Sequence, residues 1–63
     1  MCLSTVYKDE KKPESKLMDN VMMIKCVNSD VIMTDLLGRQ LVFNGSISVA
    51  DLNGDYFIVR GRE

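Results

Sequence analysis

Apolar and polar positions alternate in short runs along this chain, and turn-forming residues separate the runs. The first run, Cys2-Leu3-Ser4-Thr5-Val6-Tyr7, mixes β-branched, aromatic and small polar residues and predicts a strand. Lys8 to Lys16 follows, polar throughout, with charges of both signs and the only proline, Pro13; it predicts an exposed loop. Leu17-Met18 leads into Val21-Met22-Met23-Ile24-Lys25-Cys26-Val27, the most apolar stretch. That stretch is too short and too β-branched for a helix, and predicts a central strand. Asn28-Ser29-Asp30 predicts a turn, and Val31-Ile32-Met33-Thr34-Asp35 the next strand. Leu36-Leu37-Gly38-Arg39 carries the glycine that a tight reversal needs. Gln40-Leu41-Val42-Phe43 returns with Leu41 and Phe43 on one face. Asn44-Gly45 and Asn53-Gly54 are turn signals, since both residue types tolerate positive φ. Between them Ser46-Ile47-Ser48-Val49-Ala50 alternates with period two, and Tyr56-Phe57-Ile58-Val59-Arg60 predicts the closing strand.

Six short strands with no helical period predict an all-β fold, a small six-stranded SH3-like or Sm-like barrel or sandwich. The whole chain, residues 1–63, reads as a single domain. A sheet this small leaves an edge unless it closes or pairs with another copy, so dimerisation by edge pairing is expected.

Composition narrows the function more than the fold. A chain of 63 residues buries only ~60% of the surface its unfolded form exposes. It therefore gains from a metal, a disulfide or a partner subunit. Eight Lys and Arg against nine Asp and Glu leave a net charge of −1, which is no electrostatic footprint for nucleic acid. No apolar run approaches the ~20 residues of a membrane span, and the start lacks the pattern of a signal peptide. A cytoplasmic location is the expectation, with Cys2 and Cys26 as thiols. There is no histidine. That removes Ser-His-Asp and Cys-His catalysis and mixed Cys/His zinc sites. A chain of this size also has little room for a substrate cleft, so no enzyme is expected.

Most candidate motifs have plainer readings. Asp51-Leu52-Asn53-Gly54-Asp55 resembles a calcium loop only faintly, with glycine fourth rather than sixth and Arg62 at the twelfth position; a polar hairpin turn fits better. Lysines of the 8–16 loop could touch phosphate, but Asp9, Glu10 and Glu14 cancel most of that field. Tyr7, Phe43, Tyr56 and Phe57 are the only aromatics, and at least two are expected in the core, which weakens a base-stacking role. Met18, Met22, Met23 and Met33 could be soft metal ligands, yet their apolar surroundings favour core packing. Cys26 sits in the most apolar run, where a lone cysteine usually behaves as a small hydrophobe.

Cys2 is different, because it stands beside the chain terminus. With Met1 removed, the cysteine's own amine and thiolate close a five-membered ring. With Met1 retained, its amine, the Met1–Cys2 amide nitrogen and the thiolate chelate in sequence. Two such termini on a two-fold axis would offer nitrogen and soft sulfur to nickel(II) or copper(II), which accept planar sets. Chemistry alone leaves open both this chelate and a cysteine there for no metal reason.

A resemblance adds a name to the metal. Met1-Cys2-Leu3-Ser4-Thr5-Val6-Tyr7, Thr34-Asp35-Leu36-Leu37-Gly38, Asn44-Gly45-Ser46-Ile47, Val49-Ala50-Asp51-Leu52 and Phe57-Ile58-Val59 together resemble the CooT family. These are small nickel-binding accessory proteins associated with carbon monoxide dehydrogenase maturation. The resemblance covers nearly the whole chain. It implies an SH3-like or Sm-like β fold and a nickel(II) site at Cys2 and the Met1 terminus. It also implies a homodimer with metal at the interface, and a metallochaperone role towards carbon monoxide dehydrogenase or its maturation proteins. Members have been labelled RNA-binding on fold grounds, which is a weak warrant. An Sm-type or SH3-like RNA-binding module and a purely structural dimer or adaptor are the competing readings.

Overall fold

Strand formation follows the alternation, but the strands number five, not six. A computed structural model describes residues 3–61. The elements are β1 (Ser4–Lys8), a single 3₁₀ turn (Pro13–Ser15), β2 (Lys16–Val27), β3 (Asp30–Asp35), β4 (Gln40–Asp51) and β5 (Tyr56–Gly61). Neighbours pair antiparallel from β1 to β5, and β5 returns to pair parallel with β1, Thr5 opposite Tyr56 and Lys8 opposite Val59. The sheet thereby closes into a ring.

The expected sixth strand does not exist because Asn44-Gly45 is not a turn. It lies inside β4, a continuous strand of 12 residues. β4 pairs with β3 through Gln40–Asn44 and with β5 through Gly45–Asp51. Gly45 is the corner where it changes partner. A Cβ built there would lie far inside van der Waals contact with the Arg60 carbonyl oxygen and 2.7 Å from the Phe43 ring. Glycine at this point permits close approach of two backbones, which is a demand sequence alone does not separate from a turn. Asn44 also serves the corner, its amide donating to the Ser29 carbonyl at 3.3 Å and to Asp30 Oδ1 at 3.0 Å.

β2 makes the matching corner. Its first half faces β1, with Lys16, Met18 and Val21 opposite Tyr7, Val6 and Ser4. From Val21 to Val27 it faces β3. A register shift between Val21 and Met23 marks a bulge at Met22, preceded by Asn20 at φ 52°. Bulges and glycine bends are how a strand passes from one sheet face to another.

Every strand contributes to one small core. Val6, Val21, Val31, Met33 and Val59 are buried, and Leu41, Phe43 and Ile47 of β4 pack against them with Leu17, Met18, Ile24 and Phe57. The expected shared face of Leu41 and Phe43 is observed, and Phe43 and Phe57 are the two aromatics on the core. Three expectations for the apolar run of β2 change. Met22 and Met23 are each 49% exposed, and Cys26 is exposed as well. The reason is the corner: the pairing of β1 with β2 stops at Val21, so among the described residues the far half of β2 pairs on one side only, with β3.

Candidate functional site

The metal candidates of the sequence, Met1 and Cys2, lie outside the described residues. The chain enters the description at half-buried Leu3, and Ser4 opens β1 opposite Val21. Ser4 stands on the rim of a groove of about 500 Å³. Its walls are largely apolar, formed by Met22 and Met23 at the β2 bulge, Ile47 of β4, Phe57 of β5 and Leu52 from the β4–β5 turn, with Asp55 of that turn adding a carboxylate. The Thr5 N–H donates to the Asp55 carbonyl at 3.1 Å, fixing that turn against the start of β1. The groove is therefore the gap beside the β2 corner, and Ser4, where β1 begins, stands at its edge.

Among the described residues no three His, Cys, Asp or Glu side chains converge as a metal cluster. The acidic turn is structural instead. Asp51 Oδ1 accepts the Gly54 N–H at 2.7 Å, which is the polar hairpin role expected of it. Cys26 lies at the far end of β2 opposite Val31, five residues along that strand from the Val21–Ser4 pair. Among the described residues lining this groove, Met22, Met23 and Asp55 carry side chains able to donate to a metal. The exposed methionines are what sequence reading missed; the signal, a bulge in a run of β-branched residues, carries no turn residue except Asn20.

Two further polar sites shape the ring. Asp19 accepts from Lys16 Nζ at 3.1 Å and Thr5 Oγ1 at 3.0 Å, and these two partners hold its carboxyl below the usual carboxylate range. Asp35 is 2% exposed and anchors the β3–β4 turn. Its Oδ1 accepts the Leu37 N–H at 3.0 Å and the Arg39 N–H at 2.9 Å, while Arg39 Nε donates to Oδ2 at 2.7 Å. Burial alone would raise this carboxyl. The Arg39 N–H and guanidinium with the Leu37 N–H outweigh burial and hold it below its ordinary value of 3.8.

Because Arg39 is itself 73% exposed, the two backbone bonds carry more of this turn than the ion pair does. Asp35→Ala leaves both N–H groups without their acceptor, and Tm is expected to fall by on the order of 10 °C. Asp35→Asn keeps an acceptor oxygen and is expected to fall much less. The charge has its own signature. A carboxyl with a lowered folded pKa stabilises fully above its ordinary value and loses that contribution as pH falls through the folded one. In Asp35→Asn the decline of Tm below about pH 4 is accordingly shallower, as thermal melts across pH 2–6 will show.

The base-stacking reading finds no platform at Tyr56. Lys11 Nζ covers that ring at 4.4 Å from its centroid, and Tyr7 meets it edge-on at 6.3 Å. No helix among the described residues is long and apolar enough to cross a membrane.

Comparison with known proteins supplies the context that the geometry leaves open. The chain superposes on the crystal structure of a protein provisionally named CooT from Carboxydothermus hydrogenoformans with a TM-score of 0.83. The match covers 98% of this chain and 100% of that one at 11% sequence identity, a likeness of fold. No curated protein sequence matches. The family model described as CO dehydrogenase accessory protein CooT matches residues 1–60, Cys2 included. The chain belongs to the CooT family of CO dehydrogenase accessory proteins.

Proposed function

We propose that the chain binds nickel(II) at its N-terminus and delivers it to carbon monoxide dehydrogenase during maturation in the cytoplasm, as a metallochaperone rather than an enzyme. The Cys2 thiolate supplies the soft donor, and the nitrogens of the Met1–Cys2 terminus complete a nitrogen–sulfur set that suits nickel(II). One observation carries this reading: the accessory-protein family model extends over residues 1–60 and so takes in the Cys2 terminus. The surroundings support it. The described residues hold no competing His, Cys, Asp or Glu cluster, and a groove opens beside Ser4 at the start of β1.

A homodimer with the metal at its interface follows from the same surface. Met22 to Val27 of β2 pair with β3 only among the described residues, leaving an open edge. Met22, Met23 and Leu52 are exposed apolar side chains that line one groove beside it. An open edge with apolar flanks is a pairing surface for a second copy. The Sm-type or SH3-like RNA-binding alternative lacks comparable support, since net charge is −1 and Lys11 covers the Tyr56 ring.

The experiment is a nickel titration followed by absorbance and light scattering between pH 6 and 9. Ligation by a thiol and a backbone nitrogen releases protons, so apparent affinity is expected to rise about tenfold per pH unit for each proton released. Dimer content is expected to rise with added nickel. Absence of a thiolate–nickel absorption band at pH 8.5 would sink the reading.

A further inference from the structure

The dipeptide Asn-Gly occurs twice in the chain, and the fold holds the two copies differently. Asn44-Gly45 lies inside β4, with Gly45 buried and opposite Gly61. The Gly45 N–H donates to the Ser29 carbonyl at 2.8 Å, and the Asn44 amide donates to that carbonyl and to Asp30 Oδ1. Both halves of the pair are therefore pinned. Asn53-Gly54 lies in the turn between β4 and β5, and both residues are exposed. The Gly54 N–H is restrained by a side chain, donating to Asp51 Oδ1 at 2.7 Å. Asparagine followed by glycine is the pairing most open to attack by the next backbone nitrogen, because glycine has no side chain to shield that nitrogen or restrict its rotation.

We propose that Asn53 is a site of spontaneous deamidation restrained by Asp51, and that the fold protects Asn44 from the same reaction. The Gly54 nitrogen loses its proton to solvent base and attacks Asn53 Cγ. A nitrogen–carbon bond forms, the Cγ–Nδ2 bond breaks, and ammonia leaves with a proton from water. The product is a five-membered succinimide ring. Water then adds to one of its two carbonyls and opens it to aspartate or isoaspartate. Overall an amide and water become a carboxylate and ammonium, with nothing oxidised or reduced. Attack requires Gly54 to swing its nitrogen away from Asp51 and over the Asn53 side chain. An exposed turn opens for that motion far more often than a paired strand does. Asp51 is the brake, since its carboxylate holds the proton that must leave and repels the amide anion that attacks. The change has a place to act. Leu52 and Asp55, on either side of the pair, line the groove, and the Asp55 carbonyl accepts the Thr5 N–H at 3.1 Å. Deamidation adds a carboxylate to that lip. Isoaspartate also lengthens the turn backbone by one carbon and shifts the anchor of β1. None of this rests on the nickel reading.

The test incubates the full-length chain at pH 8.5 and 37 °C, once folded and once in guanidinium. Trypsin releases the peptide from Gln40 to Arg60, which carries both pairs, and fragmentation mass spectrometry assigns the conversion to either asparagine. In guanidinium the two are expected to convert at rates within about threefold of each other, since only local sequence then differs. In the folded chain Asn53 is expected to convert roughly tenfold faster than Asn44 or more. Asp51→Ala, with its fold verified by circular dichroism, is expected to speed Asn53 by roughly threefold or more. Asn53→Gln is the blocked control. Gly54→Ala is unsuitable, because its Cβ would meet the Tyr56 ring at 3.1 Å. Amide NMR of the aged chain is expected to show a second set of signals at Thr5 and Gly54 and none at Ser29 or Asp30. Asn53 remaining intact in the folded chain, Asn44 converting as fast as Asn53 there, or an Asp51→Ala chain no faster than the parent overturns the proposal.

Discussion

Gly45→Ala is expected to leave the chain largely unfolded at 37 °C, the largest stability effect of any single methyl group added to it. The cause is local. Gly45 is buried at the β4 corner, opposite Gly61, and its missing side chain faces the Arg60 backbone. A methyl group there meets the Arg60 carbonyl oxygen and, at 2.9 Å, its carbon. Those are backbone atoms tied into the β4–β5 ladder, so relief requires the two strands to part. The Gly45 N–H, which donates to the Ser29 carbonyl at 2.8 Å, would move with them. Overpacking of this kind costs about 3 kcal/mol or more. At 0.05–0.15 kcal/mol per residue a domain this size holds only roughly 3–9 kcal/mol in total. Gly38→Ala is the control. Gly38 has φ 87° but open space around its Cβ position, so only the conformational penalty of roughly 1 kcal/mol applies. Far-UV circular dichroism and amide NMR dispersion distinguish the two variants. A Gly45→Ala chain that melts with the parent would contradict the change of strand partner at this corner.

The same glycine shows where sequence reading stops. Local signals were legible: Asn28-Ser29, Leu36 to Gly38 and Asn53-Gly54 are all turns, and the alternation at 41, 43 and 47 points inward. An Asn-Gly pair that lets a strand change partner looks, in sequence, like one that reverses it. The difference depends on Arg60, 15 positions away in the chain, and no local pattern encodes it. Ring closure is equally non-local, because the parallel pairing of β1 with β5 joins the two ends of the chain. Exposure of Met22, Met23 and Cys26 follows from where β1 stops covering β2. Composition gave those residues the look of core. The candidate metal terminus has the opposite character. It is read from residue type, position and the family resemblance, and Met1 and Cys2 lie outside the described residues.

Cys2→Ser is expected to abolish nickel(II) binding and leave the fold intact. A cysteine thiol ordinarily has a pKa near ~8.5 and falls further on metal coordination, so a thiolate is available at neutral pH. A serine hydroxyl remains protonated there and is a poor donor to a late transition metal, while the nitrogens are unchanged. Titration of the variant at pH 8.5 is expected to show no thiolate–nickel absorption and no heat beyond dilution. Cys26→Ser separates the two thiols: exposed and opposite Val31, away from the Ser4–Val21 pair, Cys26 is expected to leave nickel affinity unchanged when replaced. Acetylation of the terminal amine divides the nitrogen contribution from the sulfur. Whether Met1 is retained or removed, both chelates use that amine, so acetylation is expected to weaken nickel binding without erasing the thiolate band. Mass spectrometry of the purified chain identifies which residue carries it. If Cys2→Ser bound nickel as tightly as the parent, the metal would have to sit elsewhere, and the N-terminal chelate would be wrong whatever the family role.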